Sequence, residues 1–334
     1  MEKKQRRAVA LFSGGLDSTL AMKLIKDQGV DVVAVNFVSH FFGGKNPNAE
    51  KMCEQIGVKL EYVDIKPIHT EIVNDPQYGY GKNMNPCVDC HGLMMRYANE
   101  ELMARFDADF IISGEVLGQR PKSQNGRALE IVKKLSGVED LIVRPMSAKL
   151  LPESKPEREG WIDREKLADV SGRSRKPQIE MAEKFGIEDF PSPAGGCLLT
   201  DPGYSRKLRV LLNDGLIKEE NSELFYLLKL GRFFRMDKGK YIFVSRNGDE
   251  SSKLEEHIKV SSLLIEDTKE VHGPLVLGFG EINAEDTEFA KQLFSRYCKL
   301  KGKERVPMVV DGEPAEIPAL DIEAVEAKMK EHLV

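Results

Sequence analysis

"AVALFSGGLDSTLAMKLI", Ala8 to Ile25, runs from an apolar segment through a glycine turn into an amphipathic stretch. Ala8 to Phe12 has the continuous apolar character of a strand buried on both faces. From Thr19 to Gln28, Leu20, Ala21, Leu24 and Ile25 share one helical face. Between them, Ser13-Gly14-Gly15-Leu16-Asp17-Ser18 stands where a strand passes into a helix, so backbone N–H groups and the positive helix end point at an anion. Gly14 and Gly15 let phosphate oxygens approach the backbone, and Ser13 and Ser18 offer hydroxyls. No lysine stands where a Walker loop needs one. A carboxylate beside phosphates makes chemical sense mainly with a Mg²⁺ ion between them, which gives Asp17 its role.

Working outward, the same alternation repeats. "DVVAVNFV" (Asp31 to Val38), "KLEYVDI" (Lys59 to Ile65), "ADFIISG" (Ala108 to Gly114) and "LIVRPMS" (Leu141 to Ser147) read as strands. Helical patterns fall around Ala49 to Ile56, Gly92 to Phe106 and Pro177 to Phe185. The pattern predicts a doubly wound α/β domain with a parallel sheet, whose ligands sit at the carboxyl ends of the strands. A polar, proline-bearing stretch covers Leu151 to Asp169, and beyond about Tyr204 helix, strand and turn patterns follow one another differently. The expected division is therefore a nucleotide-binding domain over 1–204 and a smaller α+β domain over 205–334, in keeping with a length of 334 residues.

Composition narrows the class. Hydrophobic residues make up 41% and charged ones 31%, as in ordinary globular proteins. No apolar run approaches the roughly 20 residues that span a bilayer, and "MEKKQRR" leads into a strand rather than a signal segment, so a cytoplasmic protein without a membrane partner is expected. A net charge of −5 supplies no global attraction to nucleic acid, so any RNA contact must come from local basic surface.

Five cysteines, at 53, 87, 90, 197 and 298, point to metal or redox chemistry more than to structural disulfides. In "NPCVDC", Cys87 and Cys90 stand just ahead of an expected helix start, where thiolates gain from the helix dipole. Cys197 lies in "SPAGGCLL", where Pro193, Gly195 and Gly196 shape an exposed turn. A near pair with one distant thiol suits a [4Fe–4S] cluster with one iron left open. Unrelated buried thiols are the plainer alternative, and a closed zinc site would need a fourth ligand, for which His91 is adjacent. Cys53 and Cys298 read as core residues of amphipathic helices.

"SGGLDS" resembles the SGGxDS signature of the PP-loop ATP pyrophosphatases, a likeness covering about residues 6 to 200. The resemblance implies that Ser13, Gly14, Gly15, Asp17 and Ser18 hold ATP with Mg²⁺ and that an acceptor oxygen attacks the α-phosphate, releasing pyrophosphate. It also implies that adenine meets the backbone of Val35 to Phe37 and that "SGEVLGQR" (Ser113 to Arg120), with Gly114, is the second glycine turn beside the nucleotide. Glu115 stands where many thiolation enzymes of this family have histidine, so the likeness assigns no role to Glu115, Gln119 or Arg120.

"NPCVDC" resembles the N-P-C-x-x-C element of the tRNA 2-thiouridine synthetases, which also carry a third distant cysteine. That likeness implies that Cys87, Cys90 and Cys197 ligate a cluster, or that Cys90 and Cys197 act as a persulfide and its partner. The function it implies is an ATP-dependent tRNA thiouridine synthetase fed by a protein persulfide or free sulfide. A PP-loop transferase acting on a small molecule and a non-catalytic RNA-binding protein are the alternatives. Which uridine reacts, at C2 or C4, and the oligomeric state are not assigned.

"KLGRFFRMDKGK" (Lys229 to Lys240) interleaves basic residues with Phe233 and Phe234, which suits phosphate neutralisation and base stacking, or else an amphipathic element with a phenylalanine core. The text from Gly231 to Ser251 is similar to the small RNA-binding domain of NFACT-group proteins. Arg173, Arg175 and Lys176, with Arg206, Lys207 and Arg209, flank the Cys197 segment as further basic clusters.

Overall fold

Five of the apolar runs become five parallel strands in the computed structural model, which describes residues 5–192, 196–298, 304–318 and 322–334. Two units divide the chain, Met1–Thr200 and Asp201–Val334. No helix among the described residues is long and apolar enough to cross a membrane.

In the first unit, β1 (Arg7–Leu11), α1 (Leu16–Lys26), β2 (Asp31–Val38), α2 (Pro47–Ile56), β3 (Lys59–Asp64) and α3 (Lys66–Asn74) follow in order. After α4 (Cys87–Tyr97) the helix passes through a π-helical turn, Ala98–Leu102, into the short α5 (Met103–Arg105). Then come β4 (Phe110–Ser113), α6 (Gly126–Leu135), β5 (Ile142–Val143), α7 (Lys155–Arg158) and α8 (Lys176–Lys184). The sheet order is β3-β2-β1-β4-β5, all parallel, so the chain winds one way from β1 to β3 and returns to the other side with β4. The loops after β1 and β4 thus flank the topological switch point, where open α/β sheets bind ligands.

Alternate strand residues face opposite layers. Ala8, Ala10, Phe110 and Ile112 pack in a core shared with α1, α2 and α8, while Val9, Val35, Phe37 and Ile111 pack in one shared with α4 and α6. Two expected boundaries move. β5 shortens to two residues, and Pro145, which has no N–H, cannot extend the ladder. The helix α4 begins at Cys87 itself, with Pro86 as N-cap and Cys90 N–H bonded to Pro86 C=O at 2.9 Å, so both cysteines stand on its first turn.

The second unit opens with α9 (Pro202–Asn213) and α10 (Ser222–Leu227). It then builds a six-stranded antiparallel sheet from β6 (Arg232–Asp237), β7 (Lys240–Val244), β8 (Leu263–Glu266), β9 (Val276–Phe279), β10 (Arg305–Val310) and β11 (Glu313–Pro318). Its order is β11-β10-β8-β9-β7-β6, and the helices between and after the strands are α11 (Gly248–Glu255), α12 (Ala284–Tyr297) and α13 (Ile322–His332). Within it, Phe233 and Phe234 are fully buried. Phe233 packs on Tyr241 and Phe243, and Phe234 meets Phe289 edge-on. The stacking role expected for these rings is therefore corrected: they are core, because both faces of β6 are covered.

Candidate functional site

The turn after β1 needs its glycine. Gly14 has φ +79°, and a Cβ there would lie 3.2 Å from Ala49 Cβ. Gly15 caps α1, and its carbonyl accepts from Ser18 Oγ at 2.9 Å and Thr19 Oγ1 at 3.0 Å. Ser13 Oγ lies 3.4 Å from Ser18 Oγ. Across the crevice, Gly114 is pressed against the helix start, since a Cβ on it would sit 2.6 Å from Ser18 Cα.

Asp17 Oδ2 accepts from Gln119 Nε2 at 2.9 Å, whereas Asp17 Oδ1 and Gln119 Oε1 are buried without a partner. Asn36 Oδ1 is buried without one too, although its amide donates to Phe12 C=O at 3.0 Å. Buried acceptors without donors are rare. These three suit a ligand that brings N–H or O–H donors and a cation, and the free carboxylate oxygen of Asp17 is the hard donor that Mg²⁺ takes. The Phe37 ring packs in the core layer shared with α4 and α6, and Gly43 lies over its carbonyl, where a Cβ would be 2.0 Å away. Asn36 is the β2 side chain that reaches the residue preceding the loop.

Cys87, Cys90 and Cys197 lie near enough for their charges to act on one another. Burial pushes the Cys90 thiol well above its ordinary pKa, and the fields of Cys197 and Cys87 push it further. Cys197 is pushed up to about 11, again first by burial, with the Cys87 charge adding and the Leu199 N–H and Arg120 charge opposing. At Cys90, desolvation thus outweighs the dipole gain expected at a helix start. Cys197 is seated by Leu198 N–H bonding Phe41 C=O at 3.0 Å and by Asn83 Nδ2 bonding Thr200 C=O at 2.6 Å. Pro193 and Gly195, expected to shape this turn, lie outside the described residues.

Each sulfur meets a nitrogen. Asn85 Nδ2 donates to Cys87 Sγ at 3.1 Å, His69 Nε2 lies 2.9 Å from Cys90 Sγ, and the Leu199 backbone N–H faces Cys197. Among the described residues no three His, Cys, Asp or Glu side chains are spaced to hold a single metal ion, so the zinc site that would recruit His91 is not formed. Three soft thiols without a fourth match, in donor type, the ligand set of a [4Fe–4S] cluster with one open iron, which holds its thiolates farther apart than one ion does. Cys53 and Cys298 pack in or against the hydrophobic cores.

His91 turns to Glu115 instead, with Nδ1 2.7 Å from Oε1. Glu115 is buried, and burial alone would raise its pKa, but the Arg144 charge and the His91 hydrogen bond hold it well below the usual carboxylate range. Arg144 Nε donates to Glu115 Oε2 at 2.8 Å and Ser113 Oγ donates to it at 3.1 Å. One turn, Ser113 to Arg120, therefore touches both chemistries. Gly114 and Gln119 meet the loop after β1, while Glu115 holds the residue next to Cys90 and Arg120 acts on Cys197. Sequence reasoning assigned no side-chain role to Asn36, His69, Asn85 or Arg144; of these Asn36, inside Val35 to Phe37, and Asn85, inside "NPCVDC", carried a positional signal.

In the second unit, Arg235 is committed to Asp214 at 2.7 Å, and the Arg232 guanidinium stands 3.8 Å above the Tyr297 ring.

Residues 3–149 match the family described as "Thiamine biosynthesis protein (ThiI)". The first unit is thus similar to the ThiI family over these residues. Residues 231–332 match the family described as "NFACT protein RNA binding domain". A "probable tRNA sulfurtransferase" of Thermococcus kodakarensis is 29% identical over 174 residues, covering 50% of this chain and 40% of that protein. The tRNA-specific 2-thiouridylase MnmA of Sulfurimonas denitrificans is 30% identical over 118 residues, covering 32% of this chain and 33% of that protein. MnmA 1 of a Thermoanaerobacter strain is 25% identical over 233 residues, covering 62% and 59% respectively. The chain spans less than two thirds of the length of each, and the PP-loop domain is the part of it that the ThiI family describes.

Proposed function

We propose that the chain is an ATP-dependent tRNA sulfurtransferase of the cytoplasm. The observation that carries this reading is the turn Ser113 to Arg120, whose Gln119 bonds Asp17 of the phosphate loop and whose Glu115 bonds His91, the neighbour of Cys90. A nucleotide site and a sulfur site joined in this way serve one reaction in two steps. First, a uridine carbonyl oxygen attacks the α-phosphorus of ATP, and the bond to the β-phosphate oxygen breaks, releasing pyrophosphate. Next, sulfur attacks the activated carbon, and the C–O bond breaks with AMP carrying the oxygen away. Adenylation turns a poor leaving oxygen into a good one.

Ser13 to Ser18 and the N-terminus of α1 bind and orient the phosphates. Asp17 Oδ1 would hold Mg²⁺, with Gln119 fixing the carboxylate through its other oxygen. Cys87, Cys90 and Cys197 would hold a [4Fe–4S] cluster, which supplies an iron with an open position able to bind sulfide. If the sulfur instead arrives as a persulfide on Cys90 or Cys197, the other thiol cleaves the resulting S–S link, and the disulfide so formed is reduced by an external thiol.

Unit two supplies RNA affinity in this reading. Arg232 lines a cleft of about 650 Å³ together with Asn247, Ser251 and Tyr297. Arg246 there is paired with Glu250, and Glu255, Glu266 and Asp267 also stand in the cleft. The matched RNA-binding family supports the assignment.

The test incubates the full chain anaerobically with ATP, Mg²⁺, sulfide and unmodified tRNA. Pyrophosphate, AMP and thiouridine in digested tRNA are expected. Orthophosphate released without pyrophosphate refutes the reading.

A further inference from the structure

We propose that His69 is the positioning residue for the Cys90 sulfur, donating its Nε2–H to that atom with the tautomer set by Ser39. The inference rests on reading Cys87, Cys90 and Cys197 as one site for anionic sulfur.

His69 lies on α3, is fully buried, and is wedged against Phe42 and Phe41 with ring centroids 4.9 and 5.8 Å away. Its two nitrogens have different partners. Nδ1 is 3.1 Å from Ser39 Oγ, and Nε2 is 2.9 Å from Cys90 Sγ. Ser39 Oγ accepts the Phe41 N–H at 3.0 Å and keeps its own hydroxyl hydrogen, which it can give to Nδ1. A neutral ring that accepts at Nδ1 carries its proton on Nε2, facing the sulfur. A thiolate or persulfide sulfur has only lone pairs to offer, so it needs such a donor.

The stretch Ser39 to Phe42 ties both halves of the sulfur site together. Through Ser39 it orients His69 against Cys90, and through the Phe41 carbonyl it seats Leu198 beside Cys197. Asn85 gives Cys87 a donor of the same kind, and the Leu199 backbone N–H serves Cys197. Such second-layer donors orient sulfur ligands, draw charge from them and raise the potential of a bound cluster.

Two measurements decide the matter. In metal-free protein treated with polysulfide to place an anionic persulfide on its cysteines, long-range ¹H–¹⁵N spectra of the imidazoles, with His69→Gln identifying the resonance, should report the Nε2–H tautomer, and Ser39→Ala should shift it toward Nδ1–H. A wild-type ring protonated on Nδ1 overturns the proposal. In protein reconstituted anaerobically with ferrous iron and sulfide, His69→Leu should give a more negative cluster midpoint and about tenfold faster iron loss to a chelator. His69→Gln, which keeps an N–H donor, should move both values back toward wild type. Unchanged ATP binding and thermal midpoint confirm that each variant is folded; should His69→Leu fail to fold, Ser39→Ala is read for the same two properties. A folded variant with wild-type midpoint and iron loss overturns the proposal. If the wild type takes up no iron, the cluster reading fails, and the nitrogen spectra alone judge His69.

Discussion

Replacing Arg144 by methionine removes the cation that neutralises Glu115 while keeping an unbranched side chain in place. Both groups are almost fully enclosed, with side-chain exposures of 6% and 5%. What remains around the carboxylate is His91 at 2.7 Å and the Ser113 hydroxyl at 3.1 Å. Leaving a buried charge without its partner costs about 3–5 kcal/mol. At about 2–4 °C per kcal/mol for a unit of this size, the first unit should melt roughly 6–20 °C lower. Calorimetry at pH 7, with ATP added to mark the transition of the first unit, measures this directly. The double variant Arg144→Met/Glu115→Gln should recover most of the loss, because no charge is then left buried. The pH sign follows from a folded pKa held below the ordinary 4.5, near 2. The stability that Glu115 contributes is complete above about pH 4.5 and is lost as pH falls toward 2. This component of acid destabilisation should be absent from the double variant. An Arg144→Met protein melting within about 3 °C of wild type would refute the argument.

Asp17→Asn should leave the melting temperature near wild type while pyrophosphate release falls by at least tenfold at every Mg²⁺ concentration; full activity at raised Mg²⁺ would place the metal elsewhere. Gly114→Ala puts a methyl group 2.6 Å from Ser18 Cα, so the loop must move and ATP affinity, read by calorimetric titration, should drop by about tenfold or more. Arg232→Ala should weaken tRNA binding and reduce its salt slope by about 1, measured by fluorescence anisotropy across a salt series. Arg235→Ala, by contrast, should act on stability, because it leaves Asp214 buried without its cation.

The basic-aromatic stretch illustrates how local text misleads. Lys229 to Lys240 has the composition of an RNA platform, yet its two phenylalanines are interior and one of its arginines is tied to Asp214. Alternation over β6 cannot distinguish a strand with one wet face from a strand covered on both, since that depends on what packs above it.

Local order settled the α/β class and the phosphate loop. Apolar runs of strand length, helical periodicity between them and the pair Gly14-Gly15 act through neighbours within a few residues, so their meaning survives without the rest of the chain. The cysteine pair was equally plain, because its spacing is set by a single helical turn. Tertiary structure alone decided which groups answer these residues. His69 reaches Cys90 from another helix, Arg144 neutralises Glu115 from the end of a different strand, and Asn36 rather than Phe37 turns toward the loop. A buried sulfur or carboxylate is tuned by whatever donors and charges the fold brings within about 3 Å, and residues far apart along the chain carry no local mark of that meeting.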